Sequence, residues 1–70
     1  MKTKKPVALI IDDEEDICFL LGKLLKQKEY EVSVAHKLSD GMNKLKQEEP
    51  GLLFLDIHLL NKELPKRSDN

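Results

Sequence analysis

Seventy residues with a formal charge of −1, 36% charged side chains of both signs and one cysteine make a chain shorter than the roughly 100–150 residues of a typical domain. That length argues against a full enzyme, the balanced charge leaves no basic field to hold nucleic acid, and one cysteine cannot staple a monomer. The basic start, Met1 to Lys5, precedes an apolar run of only Val7 to Ile11, too short for a signal segment or a membrane span, so the expectation is a soluble, cytoplasmic protein without a membrane partner.

The run Val7-Ala8-Leu9-Ile10-Ile11 is β-branched at three of five positions and follows Pro6, which suits a strand buried on both faces, as in parallel sheets. From Glu15 the period changes. Ile17, Leu20, Leu21, Leu24 and Leu25 recur at helical spacing and predict one apolar helix face. Glu14, Glu15 and Asp16 stand at the start of that helix and Lys23, Lys26 and Lys28 towards its end, the distribution a helix dipole favours. Cys18, within this pattern, is expected to be a buried, reduced thiol.

Tyr30 to Ala35 alternates, with Tyr30, Val32 and Val34 on one side and Glu31, Ser33 and Ala35 on the other, as in a short strand near a sheet edge. Ser39 is placed to cap a second helix running to about Gln47, with Met42 and Leu45 inward and Gly41 as a weak helix former. Pro50-Gly51 ends it. Leu52-Leu53-Phe54-Leu55 then forms a second continuous apolar run, expected to be another doubly covered strand. The tail beyond Leu60 is polar, contains Pro65 and lacks a strand pattern, so residues 61–70 are expected to be loosely held or disordered.

Strand, helix, strand, helix, strand with right-handed crossovers makes an α/β unit with a parallel sheet. Placing the two most apolar strands side by side gives the local order 2-1-3, the beginning of a doubly wound 2-1-3-4-5 arrangement. Asp12-Asp13 and Asp56 then close adjacent strands at the same edge, at the switch point where such sheets bind ligands. Converging carboxylates repel and raise one another's pKa unless a cation lies among them. Mg²⁺ suits such a set, because it takes hard oxygen ligands and commonly pairs one or two carboxylates with a phosphate. Read singly, each aspartate is an ordinary helix or loop cap; the convergence is what points to a site. His36 and His58 have no partner at zinc-ligand spacing.

Val7-Ala8-Leu9-Ile10-Ile11-Asp12-Asp13-Glu14, followed about forty residues later by Leu52-Leu53-Phe54-Leu55-Asp56-Ile57, resembles the receiver domain of two-component response regulators over residues 6 to 60. The resemblance implies a flavodoxin-like fold, here the amino-terminal half of it in residues 1–60. It implies a signalling module rather than an enzyme, with a histidine kinase or phosphotransfer protein as partner and Mg²⁺ as cofactor. Carried over by position, Asp56 is the phosphoacceptor, Asp13 a direct metal ligand, Asp12 a ligand through water, and His58 the source of a backbone carbonyl to the metal.

Two departures stand against the family pattern. Leu60 occupies the place where proline is usual after the acceptor, and no glycine follows it. The fourth and fifth strands, with a phosphoryl-sensing serine or threonine and a pairing lysine, have no counterpart before Asn70, and Lys62 and Lys66 lie in the wrong place for that role. Phosphoryl transfer is then expected to be slow or absent, and the exposed edge of the third strand with its apolar sheet faces is expected to recruit a second copy of the chain. The competing function is an interaction half-domain that oligomerises without phosphoryl chemistry. A phosphatase of the haloacid dehalogenase type needs Asp-x-Asp after its strand, which neither Asp56-Ile57-His58 nor Asp12-Asp13 supplies.

Overall fold

The computed structural model describes residues 5–63. Three strands, β1 (Val7–Ile11), β2 (Glu31–Ala35) and β3 (Leu52–Leu55), alternate with helices α1 (Glu15–Gln27), α2 (Leu38–Glu48) and α3 (Ile57–Glu63). The sheet is parallel throughout and its order is β2-β1-β3. Ile11 is paired with Ala35 on one side and with Leu55 on the other, so all three strands end at one edge. This is a partial flavodoxin-like α/β fold.

Central β1 explains its own composition. Ala8, Leu9, Ile10 and Ile11 are at most 1% exposed, and because side chains alternate across a strand they feed two separate cores. Ala8 and Ile10 pack with Cys18 and Leu25 under α1, joined by Leu21, Tyr30, Val32, Val34 and Leu52. Leu9 and Ile11 pack with Ala35 and Leu59 on the opposite face, joined by Leu38, Leu45 and Leu55. Burying one Leu or Ile side chain contributes about 1.5–3 kcal/mol, so this strand dominates the stability of the unit.

Several expectations need correction. The buried stripe of α1 is Cys18, Leu21, Gly22 and Leu25, whereas Ile17, Leu20 and Leu24 are 40%, 63% and 50% exposed. Apolar residues cover more of this helix than a three-stranded sheet can touch, and the small residues Cys18 and Gly22 set the closest approach. A methyl group at Gly22 would lie 3.6 Å from Val32 Cγ1. Likewise, β3 is not covered on both faces: Leu53 and Phe54 are exposed, because β3 lies at the sheet edge while the helices centre on β1 and β2.

Helix α2 begins at Leu38, with Lys37 as its N-cap and no side-chain capping bond; Ser39 lies inside the first turn. Leu38 is drawn into the core beside Leu45. Gly41 is buried between them and Met42 points outward, 47% exposed. The reason is a close crossing over β1, since a Cβ on Gly41 would collide with Ile11 Cδ1 and lie 2.7 Å and 3.0 Å from its Cγ1 and Cγ2. Gly41 is thus required by packing, despite its low helix propensity.

Two chain ends of helices adopt the left-handed region at non-glycine residues, Glu29 (φ 71°) and Glu49 (φ 47°). At Glu29 the amide of Tyr30 bonds the Leu25 carbonyl and that of Glu29 bonds the Lys26 carbonyl, both at 3.0 Å, the paired pattern that closes a helix C-terminus before a sharp exit. The turn delivers Tyr30 into the α1 core and starts β2. Past Leu60 the chain does not become a loose tail at once: Asn61, Lys62 and Glu63 complete α3, which Leu59, 1% exposed, anchors against Ile11. The rest of the expected tail, residues 64–70, lies outside the described residues.

Replacing Gly41 by alanine is expected to destabilise the chain. Overpacking costs about 1–3 kcal/mol and exceeds the gain of about 1 kcal/mol in helix propensity. Urea denaturation checks this, and trimming the partner in an Ile11→Val, Gly41→Ala double variant should restore part of the loss.

Candidate functional site

The common end of the strands gathers the acidic residues. Asp12 follows β1, and its amide donates to the Ala35 carbonyl of β2 at 3.0 Å; Asp56 follows β3, and its amide donates to the Ile11 carbonyl of β1 at 3.0 Å. Sheet hydrogen bonding therefore carries on one residue past each strand and sets the two aspartates side by side. Carboxylate oxygens of Asp12, Asp13 and Asp56 all lie within 4.8 Å of one another. They line an open cleft of about 370 Å³ together with Glu14, Ile17, His58 and Lys62.

Local bonds fix the Asp12 and Asp56 carboxylates. Asp12 Oδ1 accepts the Glu14 amide at 3.0 Å and Asp56 Oδ1 accepts the His58 amide at 3.1 Å. Both are two-residue turns in which a short acidic side chain meets a backbone N–H just ahead of it. Asp13 is held differently: Lys62 Nζ, from the second turn of α3, donates to Asp13 Oδ2 at 2.8 Å. That hydrogen bond, aided by the positive charge of Lys62 and opposed by partial desolvation, keeps the Asp13 carboxyl below the usual carboxylate range.

Sequence reasoning missed the supports beneath Asp12. The Cys18 thiol donates to the Asp12 carbonyl at 3.4 Å and His36 Nδ1 lies 3.1 Å from the same oxygen. A carbonyl only accepts, so the His36 contact places the proton on Nδ1. Strand β2 and helix α1 thus both grip the Asp12 peptide. Cys18 is buried and free, and no spacing rule links it or His36 to an acidic pair; only the fold brings them together. His58 meets the site through its backbone amide and lines the cleft. It stands second in α3, and helical carbonyls run along the axis towards the C-terminus.

The donor set fits a small hard cation. An octahedral Mg²⁺ with bonds of about 2.0–2.1 Å spans roughly 3 Å between adjacent ligands and about 4.2 Å between opposite ones. Three oxygens within 4.8 Å match that size when one of them is reached through water, and the open cleft leaves room for the waters Mg²⁺ retains.

The family model for the response regulator receiver domain matches residues 8–63. This chain belongs to that family. The receiver is 39% identical over 51 residues to a protein of Bacillus subtilis (strain 168) described as the uncharacterized transcriptional regulatory protein YvcP; the match covers 73% of this chain and 22% of that protein. The chain therefore spans about a fifth of this relative's length. No solved structure matches it. The match to residue 63 takes in α3 and extends past the 6–60 span of the sequence resemblance. No described helix of the receiver is long and apolar enough to cross a membrane.

The receiver's thiol should be unreactive at neutral pH. Burial first, then the negative charges of Asp12 and Glu15, push the Cys18 thiol up from its ordinary value, so the reactive thiolate is scarce. Reaction with a colorimetric disulfide reagent should run roughly tenfold or more slower in the native chain than in urea. Equal rates in both states would show that the Cys18 contact with Asp12 does not persist in solution.

Proposed function

We propose that the chain is a phosphoacceptor module of a two-component phosphorelay, with Asp56 as the residue modified. The observation that carries this reading is the meeting of Asp56 with Asp12 and Asp13 across two neighbouring parallel strands, in a chain of the receiver family. Asp13 and Asp56 would hold Mg²⁺ directly and Asp12 through a water. The His58 carbonyl joins this set only when the first turn of α3 opens. When bound, the ion would supply positive charge that offsets the negative charge of the carboxylates and an incoming phosphoryl group.

The chain's own residues do the positioning. His58 N–H engages Asp56 Oδ1 and leaves Oδ2 as the nucleophile. In transfer from phosphohistidine, an Asp56 oxygen forms the new P–O bond while the P–N bond breaks and its electron pair leaves with the imidazole. The donor is a histidine kinase or phosphotransfer protein, and the place of action is the cytoplasm. The relative's printed description as a transcriptional regulator supports an output function elsewhere in a longer protein.

Incubation with Mg²⁺ and acetyl phosphate, followed by intact mass, should reveal the addition of one phosphoryl group. The adduct should vanish in Asp56→Asn and when the metal is chelated. An adduct that persists in Asp56→Asn removes the assignment.

A second reading, an interaction module that self-associates, is favoured by one observation. Apolar Ile17, Phe19, Leu20 and Leu24 on α1 and Leu53 and Phe54 on edge strand β3 are at least 36% exposed, and patches and edges of this kind attract partners. Sedimentation velocity should then detect a dimer or larger species at micromolar concentration, unchanged by Mg²⁺ or by Asp56→Asn. A compact monomer would dismiss this reading.

A further inference from the structure

Lys62 does not stand where the resemblance to receiver domains expects a phosphate-pairing lysine, yet its ammonium group lies at the acidic cleft. Residues 58 and 62 are one helical turn apart and share a face of α3, and both line the cleft. Lys62 Nζ reaches across it to Asp13 Oδ2 at 2.8 Å, over a sequence separation of 49 residues. A cation is thus already covalently tethered beside the oxygens that the proposed metal site would use.

We infer that Lys62 is an internal competitor for the metal: its ammonium holds Asp13 while no divalent ion is bound, and must give up that oxygen when Mg²⁺ enters. This rests on the reading of Asp12, Asp13 and Asp56 as a magnesium site. The physical argument is one of charge and place. Three carboxylates within 4.8 Å repel one another unless positive charge lies among them, and Lys62 supplies one such charge at fixed reach. An ammonium and a divalent ion sharing the Asp13 carboxylate repel each other, so each weakens the other's hold on it. The pair bridges α3 to the end of β1, so metal entry frees α3 from one of its ties to that strand. Lys62 is a positioning residue in this account, acting through Asp13.

The side chains of Lys62 and Asp13 are 62% and 35% exposed, so solvent screens the pair and the effect is moderate. Calorimetric titration of the metal-free chain with MgCl₂ tests it without any phosphoryl transfer. Lys62→Gln should bind Mg²⁺ roughly two- to fivefold more tightly than the parent, the scale on which an exposed ion pair acts. Lys62→Arg, which keeps the charge, should bind like the parent. Lys46→Gln, which removes an equal charge from the exposed side of α2, should bind clearly less tightly than Lys62→Gln. Equal affinities for the parent and Lys62→Gln, or the same gain from Lys46→Gln, overturn the inference while leaving the magnesium site intact. Absence of saturable binding in the parent and in Lys62→Gln, or parent-like binding by Asp13→Asn, defeats the magnesium reading and the inference with it.

Discussion

The structure depends on the burial of β1 from Ala8 to Ile11. A strand whose residues face apolar layers above and below cannot tolerate a polar side chain, so Ala8, Leu9, Ile10 and Ile11 supply both cores. The first polar positions, Asp12 and Asp13, appear where those layers end. The same constraint fixes the neighbours: β2 and β3 pair with β1 in parallel, and each crossover helix covers one face. The acidic cleft is the polar boundary of that apolar strand, and its place is a consequence of sheet packing.

Around this frame the contacts divide between stability and positioning. The Ile11 side chain packs against Gly41 and Leu59, bringing α2 close to β1 and anchoring α3. The Ile11 backbone carbonyl accepts the Asp56 amide. One residue therefore joins the core to the site, and distortion of the α2 crossing would be felt at Asp56. On the other face Cys18 links the α1 core to the Asp12 carbonyl. The Asp12 peptide is thus held by contacts from both cores, which helps preorganise an exposed polar cleft.

After Asp56 the chain carries neither of the residue types, proline and glycine, that the resemblance to receiver domains leads one to expect there. With no proline or glycine there, Ile57 to Glu63 wind directly into helix. That helical turn places the His58 amide on Asp56 and swings Lys62 over the cleft towards Asp13. Leu60, at the position of the missing proline, donates its amide to the Asp56 carbonyl at 3.0 Å, a bond a proline cannot make.

By itself the sequence determined the strand and helix order, the parallel sheet, its 2-1-3 arrangement and the three acidic positions, because strand-long apolar runs, helical periodicity and residues ending a run are local signals. It misjudged which faces are covered. The α1 stripe turned towards Cys18 and Gly22, Met42 gave way to Gly41, and β3 remained half exposed, since periodicity marks every apolar face and only the arrangement of neighbours decides which is used. The Lys62 bridge, the His36 and Cys18 contacts to Asp12, and the helical turn after Asp56 were decided by tertiary structure alone. The Lys62 and His36 contacts join residues far apart in sequence, the Cys18 contact depends on how α1 packs on β1, and the helix after Asp56 is stabilised by burial of Leu59 against a strand nearly fifty positions earlier.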